Sequence, residues 1–198
     1  MYPALASVQL VICGGIHEPR LTDSFLQELQ WQTARVGLSI NHPLVVPVSQ
    51  YPPYSPTHIW QFLQKSVGAA GVRVPLWFIG FSAGVVGAIA AANHWQASGG
   101  PVKAFIAFDG WGVPLYGNFP IYRCSHDYFT HISSNLLGRG VGSFYADPSV
   151  AHLDLWQFPA QTWGWSVAPY TGSHRTTASQ FVVSLLQQQA QPNASTNP

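Results

Sequence analysis

Gly80-Phe-Ser-Ala-Gly84 places a single hydroxyl between two glycines, where the apolar run Leu76-Trp-Phe-Ile79 meets the apolar run Val85-Val-Gly-Ala-Ile-Ala-Ala-Ala92. Gly-x-Ser-x-Gly between a strand and a helix is the pattern of a nucleophile held on a tight elbow. Sterics dictate the residue types. The serine adopts a strained backbone conformation, and its neighbours two positions away must be small for strand and helix to approach. The turn also sets the serine oxygen near a helix N-terminus, where free N–H groups and the helix dipole favour a developing oxyanion. Downstream, Gly84, Gly87, Ala88 and Ala91 form a small-residue stripe at helical spacing, suited to a helix lying close against a sheet. A turn serine without chemistry is the alternative, and the strand–turn–helix context favours the nucleophile. His17, His42, His58, His94, His126 and His131 show no metal-ligand spacing with carboxylates or thiols, so neither a metal nor a cofactor is expected. His17 and His126 neighbour the proposed site loops and are expected near the pocket.

The elements that must position Ser82 alternate in type. Val8–Cys13 reads as a short buried strand ending at Gly14-Gly15, and Thr22–Gln32 has helical spacing with Phe25, Leu26 and Leu29 on one face. Leu44–Ser49 is a second strand weakened by Pro47. Ser55-Pro56 opens a helix, with serine as N-cap and proline in the first turn. Pro75–Ile79 is the third strand, and the helix after the elbow runs to about Trp95. Val102–Phe108 is a fourth strand closed by Asp109-Gly110, Pro120–Cys124 a fifth and Ser143–Ala146 a sixth. Phe181–Leu186 belongs to a last helix. Leu153–Tyr170, with Trp156, Trp163 and Trp165, reads as irregular and aromatic, a candidate apolar contact surface or a packing element. The alternation predicts an α/β domain over residues 1–189, a mostly parallel sheet of about six strands with helices on both faces, and a tail at 190–198.

With its elbow, its alanine-rich helix and this strand order, the chain resembles the α/β-hydrolase superfamily over nearly its whole length. It is similar to the minimal, cap-free lipases and cutinase-like esterases, without the first two strands of a full-length member. The resemblance implies a serine hydrolase cleaving a carboxylic ester or thioester, with chain order serine, acid, histidine. Asp127, in Ile121-Tyr-Arg-Cys-Ser-His-Asp127, then takes the acid's place at the carboxyl end of its strand. Asp109 is the rival acid, one strand earlier, and Asp147 before Pro148 reads as a turn residue. His152 is the favoured base, on spacing and resemblance; His174, expected just before the last helix, is the alternative. The backbone N–H of Ala83 is one oxyanion donor, and the loop after the first strand offers the other at Gly15 or Ile16.

Charged residues make up 8% of the 198-residue chain and apolar residues 47%, with a net charge of +1 and no basic block. This excludes the electrostatic footprint of a nucleic-acid binder. So few charges suit apolar acyl substrates and contact with a lipid or membrane face; oligomeric state has no signature. No apolar run is long enough to span a bilayer, and no basic n-region or cleavage site is recognised. Cys13 and Cys124 fall in apolar strands and read as buried free thiols, consistent with a cytoplasmic setting. A second function class stays open: a fold that binds lipid or protein without hydrolysis. Cys13-Gly-Gly-Ile-His lacks the Gly-x-Gly-x-x-Gly of a dinucleotide site.

Overall fold

A computed structural model describes residues 9–40, 42–67, 74–168 and 172–190. In chain order the elements are β1 (Gln9–Cys13), α1 (Pro19–Arg35), β2 (Leu44–Val45), α2 (Pro56–Val67), β3 (Leu76–Phe81), α3 (Ala83–Ala97), β4 (Val102–Phe108) and β5 (Ile121–Ser125). There follow α4 (Tyr128–Asn135), β6 (Gly142–Ala146), α5 (His152–Gln157), β7 (Trp163–Ala168), β8 (Gly172–Thr177) and α6 (Ala178–Ala190). The strands form one sheet in the order β2-β1-β3-β4-β5-β6-β7-β8. Pairing is parallel from β2 to β6 and antiparallel for β6-β7 and β7-β8. The fold is therefore α/β with a mostly parallel mixed sheet.

The central strand β3 is apolar without a break, and β4 is apolar from Ala104 to Phe108, because both faces are covered there. In β3, Leu76 and Phe78 turn to one face, while Trp77, Ile79 and Phe81 turn to the other. The first face packs on α2 and α3 through Ile59, Leu63, Val85, Ala88 and Ala92. The second packs on α1, α5 and α6 through Phe25, Leu29, Trp156, Val182 and Leu186. At about 1.5–3 kcal/mol for each large side chain removed from water, these two layers supply most of the drive that assembles the sheet.

Eight strands stand among the described residues where about six were expected. The surplus is the β7-β8 hairpin, drawn partly from the segment expected to be irregular. Four of the six β8 residues are exposed, so this edge strand lacks the apolar alternation that reveals a strand in sequence. The small-residue stripe on α3 also does two jobs rather than one. A Cβ on Gly84 would lie 2.3 Å from the Cys13 carbonyl oxygen at the end of β1, whereas one on Gly87 would lie 2.3 Å from the Pro53 carbonyl oxygen before α2. Cys13 and Cys124 are free and buried. Residues 191–198 of the expected tail lie outside the described residues, and Ala190 closes α6. Among the described residues no helix is long and apolar enough to cross a membrane.

Candidate active site

The candidate residues gather where the parallel strands end. Ser82 follows β3, and its N–H donates to the Phe108 carbonyl (2.9 Å). Asp109 follows β4, and its N–H donates to the Cys124 carbonyl (2.8 Å). Ladder bonding thus continues one residue beyond each strand and fixes the backbone of both side chains. Both residues also occupy the left-handed half of backbone space, with φ 53° at Ser82 and φ 48° at Asp109. For non-glycine residues this costs about 1–2 kcal/mol each and persists only where the surroundings impose it. At Ser82, with ψ −124°, the turn between β3 and α3 imposes it. Of the elbow's flanking glycines, Gly84 is sterically required, since a Cβ there would meet the end of β1, and Gly80 is tightly packed, a Cβ there lying 3.0 Å from Val85 Cα.

His152 is the first residue of α5, and an aromatic stack sets its ring. The ring lies over Phe81 (centroids 4.7 Å apart, planes 23° apart), the residue preceding Ser82. Trp156, one helical turn further on, stacks on the same Phe81 (5.0 Å, 11°) and on Phe25 of α1 (3.7 Å, 8°). With Trp156 fully buried, α5 is anchored to the core beside the elbow. Each such aromatic pair adds about 0.5–1.5 kcal/mol beyond its buried area. Trp156 is therefore core; Trp163 and Trp165 lie on β7, and none of the three forms the apolar wall that the sequence suggested.

His152 Nδ1 donates to Asp109 Oδ2 at 2.8 Å, and the Asp109 side chain is 1% exposed. The same carboxylate takes two further bonds from His126, whose N–H donates to Oδ1 (2.9 Å) and whose Nδ1–H donates to Oδ2 (2.9 Å). Burial alone would raise the Asp109 carboxyl. Hydrogen bonds from His126 and His152, with the His126 charge, outweigh it and hold Asp109 below its ordinary 3.8. His126 is raised above 6.5 by its hydrogen bond to Asp109, against partial burial, with the charges of Asp109 and Asp127 adding to the effect.

Asp127, the acid expected from sequence, does not touch His152. Its Oδ1 accepts the Thr130 N–H at 2.5 Å as N-cap of α4, and its Oδ2 lies 3.1 Å from His126 Nε2. The rival Asp109 is the carboxylate bonded to His152. His174 sits in the middle of β8, five strand positions from β3. At about 4.8 Å per strand that is roughly 24 Å from the elbow, so the hairpin removes His174 from the site. It does not directly precede the last helix, as expected, because β8 continues to Thr177.

Ser82, Ala83, Asp109, His126 and His152 line one cleft of about 330 Å³, with Val86, Trp111 and Val113 as its apolar wall. Among the described residues the Ser82 hydroxyl has no hydrogen-bond partner, leaving it free to turn toward His152. The Ala83 N–H, at the first position of α3, has no acceptor within the helix. Gly15 adjoins the elbow, since a Cβ there would lie 3.0 Å from Ser82 Cβ. Ile16 is 74% exposed and does not line the cleft.

Asp109, His126 and His152 bring three metal-ligand atoms within 4.8 Å of one another, a grouping that their distance in sequence conceals. The two histidine nitrogens lie at hydrogen-bonding distance from one carboxylate oxygen, and His126 turns its other nitrogen to a second carboxylate. Such placement matches ring N–H groups donating to carboxylates better than lone pairs directed at an ion.

Sequence reasoning gave no role to Trp111, Val86 or Val113, and expected His126 near the pocket without assigning it a contact. The signal for Asp109 was its place directly after the apolar β4 run and before a glycine. No model of a known protein family matches the chain, and no curated protein is significantly similar to it.

Proposed function

We propose that this chain is a serine hydrolase of the α/β-hydrolase type, cleaving carboxylic esters or thioesters through an acyl-enzyme. One observation carries the reading: a serine held at positive φ on a strand–helix elbow shares a cleft with a histidine whose Nδ1–H donates to a buried, ionised aspartate. With Nδ1 committed to Asp109, Nε2 of His152 is the nitrogen free to accept a proton. It takes that proton from Ser82 as Oγ attacks the acyl carbon, and Asp109 stabilises the imidazolium. The Ala83 N–H and the neighbouring Gly15 N–H supply the donors for the tetrahedral oxyanion. His152 then returns the proton to the leaving alkoxide or thiolate. Water, deprotonated by the same nitrogen, releases the acid and restores Ser82.

Support also comes from the cleft's dimensions. Its volume of about 330 Å³ is at the small end for ligand sites, matching a short acyl group held against Val86, Trp111 and Val113. The test is hydrolysis of short-chain aryl esters and acyl thioesters by the wild type and Ser82→Ala. We expect kcat/KM to fall by at least about 10³-fold in the variant. Equal rates in the two proteins, or no turnover of any substrate by folded wild type, overturns the proposal.

A further inference from the structure

Asp109 is bonded by two histidines, and a triad uses one. His126 reaches it through both backbone N–H and Nδ1, and the opposite ring nitrogen faces Asp127 Oδ2 at 3.1 Å. A ring whose two nitrogens each face a carboxylate is satisfied only when both carry protons. Its backbone is held as well, the His126 carbonyl accepting the Val150 N–H at 3.0 Å on the loop that leads to His152. The ionisable groups facing it are Asp109 after β4, Asp127 at the start of α4 and His152 at the start of α5. Cys124 on β5 lies close to Asp109, but burial, reinforced by the Asp109 charge, pushes its thiol up and keeps it neutral.

We propose that His126 is a charged positioning residue that clamps Asp109 toward His152, and that Asp127 supplies the negative charge needed to balance it. The inference rests on the serine-hydrolase reading of the cleft. Its logic is a count of charge. A general base starts uncharged, so with His126 holding a proton on each ring nitrogen between the carboxylates of Asp109 and Asp127, the group of four starts at −1. When His152 takes the Ser82 proton, the group becomes neutral. Without Asp127 the same step would take the group from neutral to +1, close to a buried site. The aspartate that caps α4 therefore assists His152 from a distance, through His126.

Two charge-removing variants separate this from a purely structural role. His126→Asn keeps a neutral donor near the Nδ1 position and removes the charge. Asp127→Asn keeps an N-cap of equal quality and removes the charge facing His126. The two rings lie 6.0 Å apart. At that separation and an effective dielectric of about 40–80, a lost positive charge raises the acid limb of the kcat/KM–pH profile by roughly 0.5–1 pH unit. Asp127 faces His126 rather than bonding His152, and its loss moves the limb in the opposite direction, down. A structural contact alone would move neither.

The experiment is the kcat/KM–pH profile of wild type, His126→Asn and Asp127→Asn on an aryl ester. It is run beside ring-nitrogen NMR titration of His126 and His152 in the same proteins, which needs no turnover. Opposite shifts of limb and of His152 midpoint, with His126 doubly protonated through neutral pH in wild type, are the expected result. Unmoved or like-signed shifts with intact Ser82-dependent hydrolysis overturn the clamp and leave the hydrolase reading standing. Opposite NMR shifts without Ser82-dependent hydrolysis overturn its placement in a hydrolytic site, along with that reading.

Discussion

Replacing Asp109 by asparagine should nearly abolish turnover, and the reason can be worked from its contacts. The side chain is 1% exposed and accepts three hydrogen bonds, two from His126 and one from His152. Asparagine is the informative choice, because at φ 48° it tolerates the left-handed backbone, whereas alanine would add about 1–2 kcal/mol of strain. The amide preserves shape but not charge, and its NH2 group cannot accept from either imidazole. Hydrogen bonds to a charged group contribute about 1.5–3 kcal/mol each. Losing the His152 bond and the charge that steadies its imidazolium removes about 4–5.5 kcal/mol from the transition state, a 10³–10⁴-fold fall in kcat. The assay is steady-state hydrolysis of an aryl ester at pH 8, with circular dichroism establishing that the variant is folded at the assay temperature. Asp127→Asn under the same conditions should lose less than about tenfold, since Asp127 reaches His152 only through His126. If Asp109→Asn stays within threefold of wild type while Asp127→Asn collapses, the acid is Asp127 and the geometric reasoning fails.

Gly84→Ala should destabilise the fold whatever its chemistry, because the new Cβ would stand 2.3 Å from the Cys13 carbonyl oxygen and 2.4 Å from that of Gly14. Backbone cannot yield as a flexible side chain can, so we expect a loss of about 3 kcal/mol and a Tm lower by roughly 6–12 °C; an unchanged melt contradicts the close approach. His174→Ala should keep activity within twofold, since β8 stands at the far edge of the sheet, and a tenfold loss would mean that the hairpin folds over the site. Stability should also depend on pH through His126. A histidine raised above 6.5 contributes fully below that value, and its contribution is lost as pH rises through the raised value, so the denaturation midpoint should fall on the alkaline side of 6.5. Asp109, held low, contributes above 3.8 and is lost only in stronger acid. The alkaline decline should flatten in His126→Asn, and a decline of equal slope in that variant refutes the assignment.

Most of the sheet could be read from sequence because its central strands are buried on both faces: Leu76-Trp-Phe-Ile and Ala104-Phe-Ile-Ala-Phe108 are continuous apolar runs, as parallel strands under two helical layers must be. The elbow could be read because its glycines answer a local steric demand. The hairpin could not. Gly172-Ser-His-Arg-Thr-Thr is a polar edge strand defined by its partner β7, and such a strand leaves no period-two pattern. Which aspartate meets His152 could not be read for a related reason. Asp109 and Asp127 both follow strands, and only tertiary placement shows that Asp109 meets His152 while Asp127 turns into the cap of α4. Asp109-Gly resembles an ordinary turn, and the positive φ at Asp109 carries no mark in sequence beyond tolerance of that region by short polar side chains. His126 was hidden because its role exists only relative to two carboxylates, one of them 17 residues away.

Covalent labelling asks directly whether Ser82 is an activated nucleophile. The folded protein is incubated with a fluorophosphonate between pH 6 and 9, and the modified peptide is mapped by mass spectrometry. The nucleophile reading predicts stoichiometric phosphonylation of Ser82, none in Ser82→Ala, and a rate slower by at least about 10²-fold in His152→Ala, in line with loss of a general base. Absence of label on Ser82 at every pH, in protein shown to be folded, would contradict it.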